Sequence, residues 1–351
     1  MENGKRTALW DNLRFFTIVA VVIGHFVNIK NQGLYLGVYM FIYSFHMPLF
    51  MFVSGLFHKN TNIIGKVAAY IGIYLLFKGA IYGVKCLFGA NVAFDPLRES
   101  GAPWFIFSLA VYIPLAYLVR KLNKKAVLAV SVALALAAGY FGKIGYFLCS
   151  SRVICFWPFY YLGIIINREK IETVVKNKKV KLVSGAVLIL WLAACLAFPS
   201  KISVLRPFFV NKRVYPEGQY ALGAVWRLGG YVISSVLFFA VMAVTPSRKI
   251  KGITLWGSRT IQVYFWHRIF LYILAYSGIQ SFFFDNGTVT RLLWIGVAVL
   301  TSVVMSFKIF EFPTMTIMNL IRKRRKPEVT DGEIKTEADR ADKGKPIEAA
   351  N

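Results

Sequence analysis

Ten apolar stretches follow one another between residues 8 and 312, each long enough to cross most of a ~30 Å hydrocarbon core. They fall at about 8–28, 34–57, 64–88, 103–119, 126–142, 150–167, 181–198, 220–245, 256–277 and 289–312. Hydrocarbon offers no water to free backbone N–H and C=O groups, so runs of this kind are viable as helices that satisfy those groups internally. The fold expected is therefore an all-α polytopic membrane protein, a bundle of about ten transmembrane helices. Composition agrees. Of 351 residues, 57% are hydrophobic and 16% aromatic, too apolar for a soluble globule. The first run has no small-residue cleavage site and so does not read as a signal peptide.

Charge settles how the bundle is expected to sit. The 42 Lys and Arg against 16 Asp and Glu leave a net +26. On a soluble protein that excess would suggest nucleic acid, but here the cations lie in short loops between apolar runs. Membrane topology and contact with anionic lipid headgroups explain it better, and no nucleic-acid partner is expected. One set of loops holds Lys5, Arg6, Lys59, Lys66, Arg120, Lys121, Lys124, Lys125, the basic run across 168–181, Arg248, Lys249, Lys251 and the run 322–326. The alternate loops hold fewer: Lys30, Arg98, Lys143, Arg152, Lys201, Arg206, Lys212, Arg213 and Arg291. The positive-inside rule then puts both termini in the cytoplasm of a multi-pass cell-membrane protein, a bacterial cytoplasmic membrane being the expected setting. Residues 1–321 form the membrane domain, and 322–351 turn basic and then Glu-, Lys-, Asp- and Ala-rich, as expected of a disordered cytoplasmic tail. The outward loop 199–219, with three prolines and basic residues among aromatics, is either a plain connection or part of a site for a polyanionic or sugar partner.

Within this apolar background the first run carries three ionisable residues. Asp11, Arg14 and His25 share one stripe of a helix: eleven residues separate Arg14 from His25, placing them about 20° apart in rotation and roughly 16 Å apart along the axis. Ionisable groups in a spanning segment are costly and face a bundle interior or a wet cavity, which favours a functional stripe over interfacial anchors.

Other polar positions are rarer. In FHMPLFMFVSGLF (45–57), Pro48 should kink the second span beside His46, and Ser54 with Gly55 permits close helix contact. His25 and His46, near the same end of adjacent helices, are placed to share a pocket. PWFIFS (103–108) brings Trp104, read first as an interfacial belt residue, and Ser108; FWPFYYLG (156–163) brings Tyr160. His267 shares a face with Thr260, seven residues before it, and should point inward. Glu311 stands three residues from Lys308, the spacing of an ordinary ion pair. The four cysteines lie in or beside apolar runs without metal-ligand spacing, and no P-loop or GxGxxG element is present, so a metal site, a disulfide framework and nucleotide hydrolysis are unsupported.

Taken together, DNLR followed by ten residues and a His (Asp11 to His25), FHMPLFMFVSGLF, PWFIFSL (103–109), FWPFYYLG and a His in the ninth span resemble the integral-membrane acyltransferase family 3, and within it the fucose 4-O-acetylase-like proteins. The resemblance covers residues 6 to about 320. It implies about ten spans, a cytoplasmic acyl-CoA donor as co-substrate with no bound cofactor, and O-acylation of a polysaccharide or lipid-linked sugar. Carried onto this chain, His25 matches the catalytic His and Arg14, beside Asp11, its partner. His46, Ser54, Lys66, Trp104, Ser108, Tyr160, His267 and Glu311 complete the candidate donor- or substrate-binding set. One departure concerns the donor: many members carry an Arg pair where this chain reads IIGKVAAYIGIY, leaving Lys66 as the only cation there. The expected activity is transfer of an acyl group, most readily acetyl, to a sugar hydroxyl of a cell-envelope or exported polysaccharide. A proton-coupled transporter or flippase, with Asp11, Arg14 and His25 as a proton relay, is the competing class.

Overall fold

The chain folds back on itself helix by helix, and its only strand-like pairing among the described residues is one isolated bridge between Arg98 and Phe147. The computed structural model describes residues 7–323 apart from 28–31, 100, 143 and 146. In order, the helices are α1 (Ala8–Val27), α2 (Gly33–Tyr43), α3 (His46–Leu56), α4 (Ile63–Leu87), α5 (Trp104–Leu118), α6 (Lys124–Ala137), α7 (Ser150–Ile165), α8 (Arg168–Lys176) and α9 (Lys178–Ala197). Short α10 (Pro199–Ile202) and α11 (Arg206–Val210) lead into α12 (Gly223–Val244). The set closes with α13 (Ile253–Trp256), α14 (Thr260–Tyr276), α15 (Ile279–Asp285), α16 (Thr288–Val304) and α17 (Thr314–Lys323).

All ten apolar runs are helical, but they are unequal. Six described helical segments are long and apolar enough to cross a membrane: α1, α2 with α3 taken together, α4, α5 with the 3-10 turn that extends it to Lys121, α9 and α12. The runs expected at 126–142, 150–167, 256–277 and 289–312 form α6, α7, α14 and α16, of 14, 16, 17 and 17 residues. At 1.5 Å per residue these reach about 21–26 Å, short of a full hydrocarbon core. α6 ends at Ala137 and passes into a 3-10 turn, Ala138–Tyr140, in which Gly139 lies against the Tyr215 ring, where a side chain would collide. The protein is thus an all-α, multi-pass membrane protein. The tail from residue 324 onward and the loop charges Lys5, Arg6, Lys30 and Lys143 lie outside the described residues.

The second span is interrupted beside His46, where Pro48 leads one to expect it. The break falls at Ser44 and Phe45, between α2 and α3, one turn before Pro48. Proline removes the N–H that would have bonded to the carbonyl four residues earlier, which is Ser44. That orphaned oxygen accepts instead from the Ser234 hydroxyl of α12 at 2.6 Å, while the Trp191 indole of α9 donates to the Ser44 hydroxyl at 3.0 Å. Two neighbouring helices therefore hold the break open.

Two close approaches set the rest of the frame. α3 crosses α7 so tightly that a Cβ on Gly55 would overlap the Tyr160 carbonyl, and one on Gly163 the Phe52 carbonyl. The amino end of α1 is fastened by Asn12, fully buried, whose amide donates to Pro246 and Arg248 carbonyls at 2.8 and 2.9 Å and whose oxygen accepts from Thr254 at 2.7 Å. Gly257 admits the Asp11 carbonyl where any side chain would clash. The Asn of DNLR is thus a tether between α1 and the 246–257 turn. Glu311, expected to pair with Lys308, instead meets Arg259 at 3.6 Å. α16 ends at Val304, so residues 308–311 form a separate 3-10 turn that folds back against the start of α14.

Candidate active site

His25 lies in the last turn of α1 and opens onto a cavity of about 300 Å³. His46 lines the same cavity because the break at Ser44 turns α3 so that its first residue faces inward. The two imidazoles meet across Tyr43, whose ring lies 6.3 Å from His25 and 4.6 Å from His46, both edge-on. The Tyr43 hydroxyl is 3.4 Å from His25 Nδ1. With the proton on Nδ1 and directed at Tyr43, Nε2 is left with a lone pair, the arrangement a general base needs.

His267 packs behind this pair. Its ring stacks on His25 at 5.2 Å, and it is fully buried. Its Nδ1 is 2.9 Å from the Val263 carbonyl, and a carbonyl only accepts, so Nδ1 carries the proton and Nε2 is a bare lone pair with no partner. His46 is held the same way, Nδ1 donating to the Ile42 carbonyl at 2.8 Å. Backbone carbonyls thus fix two of the three tautomers, and only His25 has a side-chain partner.

The remaining walls combine aromatic rings with cations. Trp104 was expected at the lipid interface, yet it is only 6% exposed, stacks on Phe156 at 5.0 Å and lies 4.9 Å beneath the Arg152 guanidinium. It lines the cavity because PWFIFS starts α5 at this level of the bundle rather than on its perimeter. Arg206 reaches in from α11, its Nε donating to the Tyr39 hydroxyl at 3.2 Å. Arg268 from α14 and Lys212 from the loop after α11 complete the basic wall.

A second cavity, about 130 Å³, lies toward the other end of α1. Arg14, Ser54, Tyr70 and Thr260 are its polar groups, and Ile18, Phe50, Val53, Phe105, Ile106 and Leu109 make most of the rest. Arg14 is held 3.6 Å from Asp11 and stacks over the Phe57 ring at 4.6 Å. Met47 and Tyr264 line both cavities, so a wall one side chain thick divides the His25 compartment from the Arg14 compartment. The Tyr264 hydroxyl donates to the Ala102 carbonyl, which holds the ring in that wall.

The structure thus brings His25, His46 and Trp104 into one cavity, sets His267 directly behind it, and puts Arg14 and Ser54 in the next. Other candidates lie apart. Ser108 is buried and bonds back to the Trp104 carbonyl at 2.9 Å. The Tyr160 hydroxyl meets His58 Nδ1 at 2.9 Å. Lys66 donates to the Lys59 carbonyl on the surface at 2.6 Å, away from both cavities. Sequence reasoning missed Tyr43, Tyr264 and the cations Arg152 and Arg268. An Arg beside an inward-facing His in a spanning run was the available signal for Arg268. Nothing local marked Arg152, which reads as a loop charge until α7 is seen to begin at Ser150.

A family model described as an acyltransferase domain matches residues 8–310, which takes in every helix that lines either cavity. No curated protein and no solved structure matches the chain.

Proposed function

The chain belongs to acyltransferase family 3, and from that membership we propose that it moves an acyl group, most readily acetyl, from cytoplasmic acyl-CoA to a sugar hydroxyl of a cell-envelope or exported polysaccharide. The observation that carries this reading is the pair of cavities at opposite ends of α1, parted only by Met47 and Tyr264. With the amino terminus in the cytoplasm, the Arg14 cavity faces the donor and the His25 cavity faces the outside. The phosphates of the donor stay among basic groups at the inner face, and its pantetheine arm runs through the narrow, largely apolar compartment beside Arg14. The thioester then meets the acceptor at His25.

The chemistry is an ordinary acyl transfer. His25 Nε2 takes the proton of the sugar hydroxyl as the oxygen attacks the thioester carbon, forming the C–O bond. The tetrahedral intermediate collapses, the C–S bond breaks, and the departing thiolate takes the proton back from the imidazolium. Tyr43 accepts from Nδ1–H throughout and steadies the cation that forms in between.

The test is acyl transfer by purified full-length protein in lipid nanodiscs, with labelled acetyl-CoA and a panel of sugars. Label recovered in a base-labile sugar ester supports the proposal; solute flux through the protein without any such ester overturns it in favour of a transporter. Two variants probe the route. Arg14→Ala should raise KM for acetyl-CoA about tenfold, the equivalent of ~1.4 kcal/mol of binding, and lower kcat as well. Met47→Trp should thicken the dividing wall and reduce turnover by more than about tenfold, since it obstructs passage between the two cavities. Unaltered turnover in Met47→Trp would rule out passage between the two cavities.

A further inference from the structure

The wall chemistry of the His25 cavity says more about the acceptor than membership of a family of acyltransferases does. Resting on the reading above, we propose that the acceptor sugar is an anion, carrying a carboxylate or phosphodiester next to the hydroxyl that is acylated. Arg152, Arg206, Lys212 and Arg268 all line the cavity, and no Asp or Glu does among the described residues. Two of the four come from outside the long helices, Arg206 from α11 and Lys212 from the loop after it.

Gathering cations around so small a space is unfavourable. Each loses hydration, and like charges in a low-dielectric site repel more strongly than in water. Arg152 is only 8% exposed, its guanidinium over Trp104 and one nitrogen donating to the Gly101 carbonyl at 3.3 Å. Arg268 lies over the Tyr272 ring at 4.7 Å and donates to that hydroxyl at 2.9 Å, but its buried Nε has no partner. The loop residue Lys212 records the same crowding: burial first, then Arg152 and Arg213, with a smaller push from Arg206, bring its pKa down to about 8, against the opposing pull of Glu99. An incoming anion relieves this repulsion and supplies the missing acceptor for Arg268. Trp104, Tyr39 and Tyr264 line the same cavity and set aromatic surface beside the cations, so the cavity can hold both halves of an acidic sugar.

The donor's own phosphates are the other anions present in the reaction. They sit at the far end of α1 in the proposed orientation, so the outer cations answer to the acceptor, and the experiment separates the two. Methyl glycosides of glucuronic, galacturonic and N-acetylneuraminic acid and a sugar methyl phosphodiester are each titrated into nanodisc protein without donor. Each is paired with its uncharged counterpart, the methyl ester or the parent neutral glycoside.

At least one acid should bind tenfold or more tightly than its neutral counterpart, and Arg206→Gln and Lys212→Gln should reduce that preference severalfold. Dissociation constants for that acid should rise as pH passes upward through about 8, because Lys212 is a cation below that pH and neutral above it. Lys212→Arg should abolish the rise. Neutral counterparts that bind as well as every acid would overturn the proposal. So would variants that raise KM for acetyl-CoA and leave acid binding alone. Labelled acetyl transfer to the same panel reports separately on the proposed activity: an acetylated neutral sugar with no charge preference keeps the acyltransferase reading and defeats only the anionic acceptor.

Discussion

His25→Ala should abolish measurable acyl transfer and leave acetyl-CoA binding within about twofold of the wild type. The loss expected for removing a positioned general base is ~10²–10⁴-fold in turnover. Donor binding survives because Arg14 and the apolar compartment lie roughly 16 Å away along α1 and lose nothing. His25 is not a packing residue whose removal collapses the fold: it is partly exposed to the cavity, and its closest side-chain hydrogen bond, to Tyr43, is long at 3.4 Å. Monodisperse, helical His25→Ala protein that still transfers acetyl at near-normal rate would end the assignment. His46 is the informative control, since it shares the cavity and also presents an imidazole. Its Nδ1 proton is committed to the Ile42 carbonyl, so no side-chain partner steadies an imidazolium there. His46→Gln should accordingly weaken acceptor binding more than it lowers kcat; the reverse split would make His46 the base.

Gly163→Val should be among the most damaging substitutions in the molecule, and for a reason unconnected with chemistry. A Cβ at 163 falls on the Phe52 carbonyl and close to the Leu56 amide of α3, and backbone cannot rotate away as a side chain can. Forcing extra atoms into a filled contact costs ~1–3 kcal/mol, with the high end and beyond expected where backbone must move. α3 carries His46 at one end and Ser54 at the other, so separating α3 from α7 disturbs both cavities at once. The expected result is a marked fall in thermal unfolding temperature in detergent, with loss of activity in proportion, and Gly163→Ala intermediate between it and the wild type. Gly142→Ala serves as the contrast, because nothing lies within 4 Å of a Cβ there. An unchanged unfolding temperature for Gly163→Val would show that the helices are not held at this distance.

Much of the site's axis was legible before any coordinates. The eleven-residue step from Arg14 to His25 places both on one stripe through helical periodicity alone, and the two ends of that stripe do open onto two separate compartments. The inward face of His267 followed from the same argument. Periodicity failed where a neighbouring helix decided the outcome. Pro48 marked the break beside His46, but not that Ser234 and Trp191, about 190 and 147 positions away, would hold it at Ser44. Trp104 read as an interface residue because its position along the membrane normal was visible and its neighbours were not. Glu311 had a partner at the right spacing in Lys308, yet the turn back toward α14 gave it Arg259.

What the sequence determined by itself was an all-helical, membrane-embedded chain, the axis from Arg14 to His25, and a resemblance to an acyltransferase family that the match over residues 8–310 bears out. Those properties are carried by local composition, helical spacing and short motifs, each contained within one or a few turns of chain. Only the tertiary structure decided that Arg152, Arg206, Lys212 and Arg268 would face His25 across one cavity, and that Met47 and Tyr264 would divide it from the next. The physical reason is that a helix in an apolar bundle presents similar faces all round. Which face meets which neighbour then depends on close approaches such as Gly55 with Tyr160 and Gly163 with Phe52, made between segments a hundred residues apart.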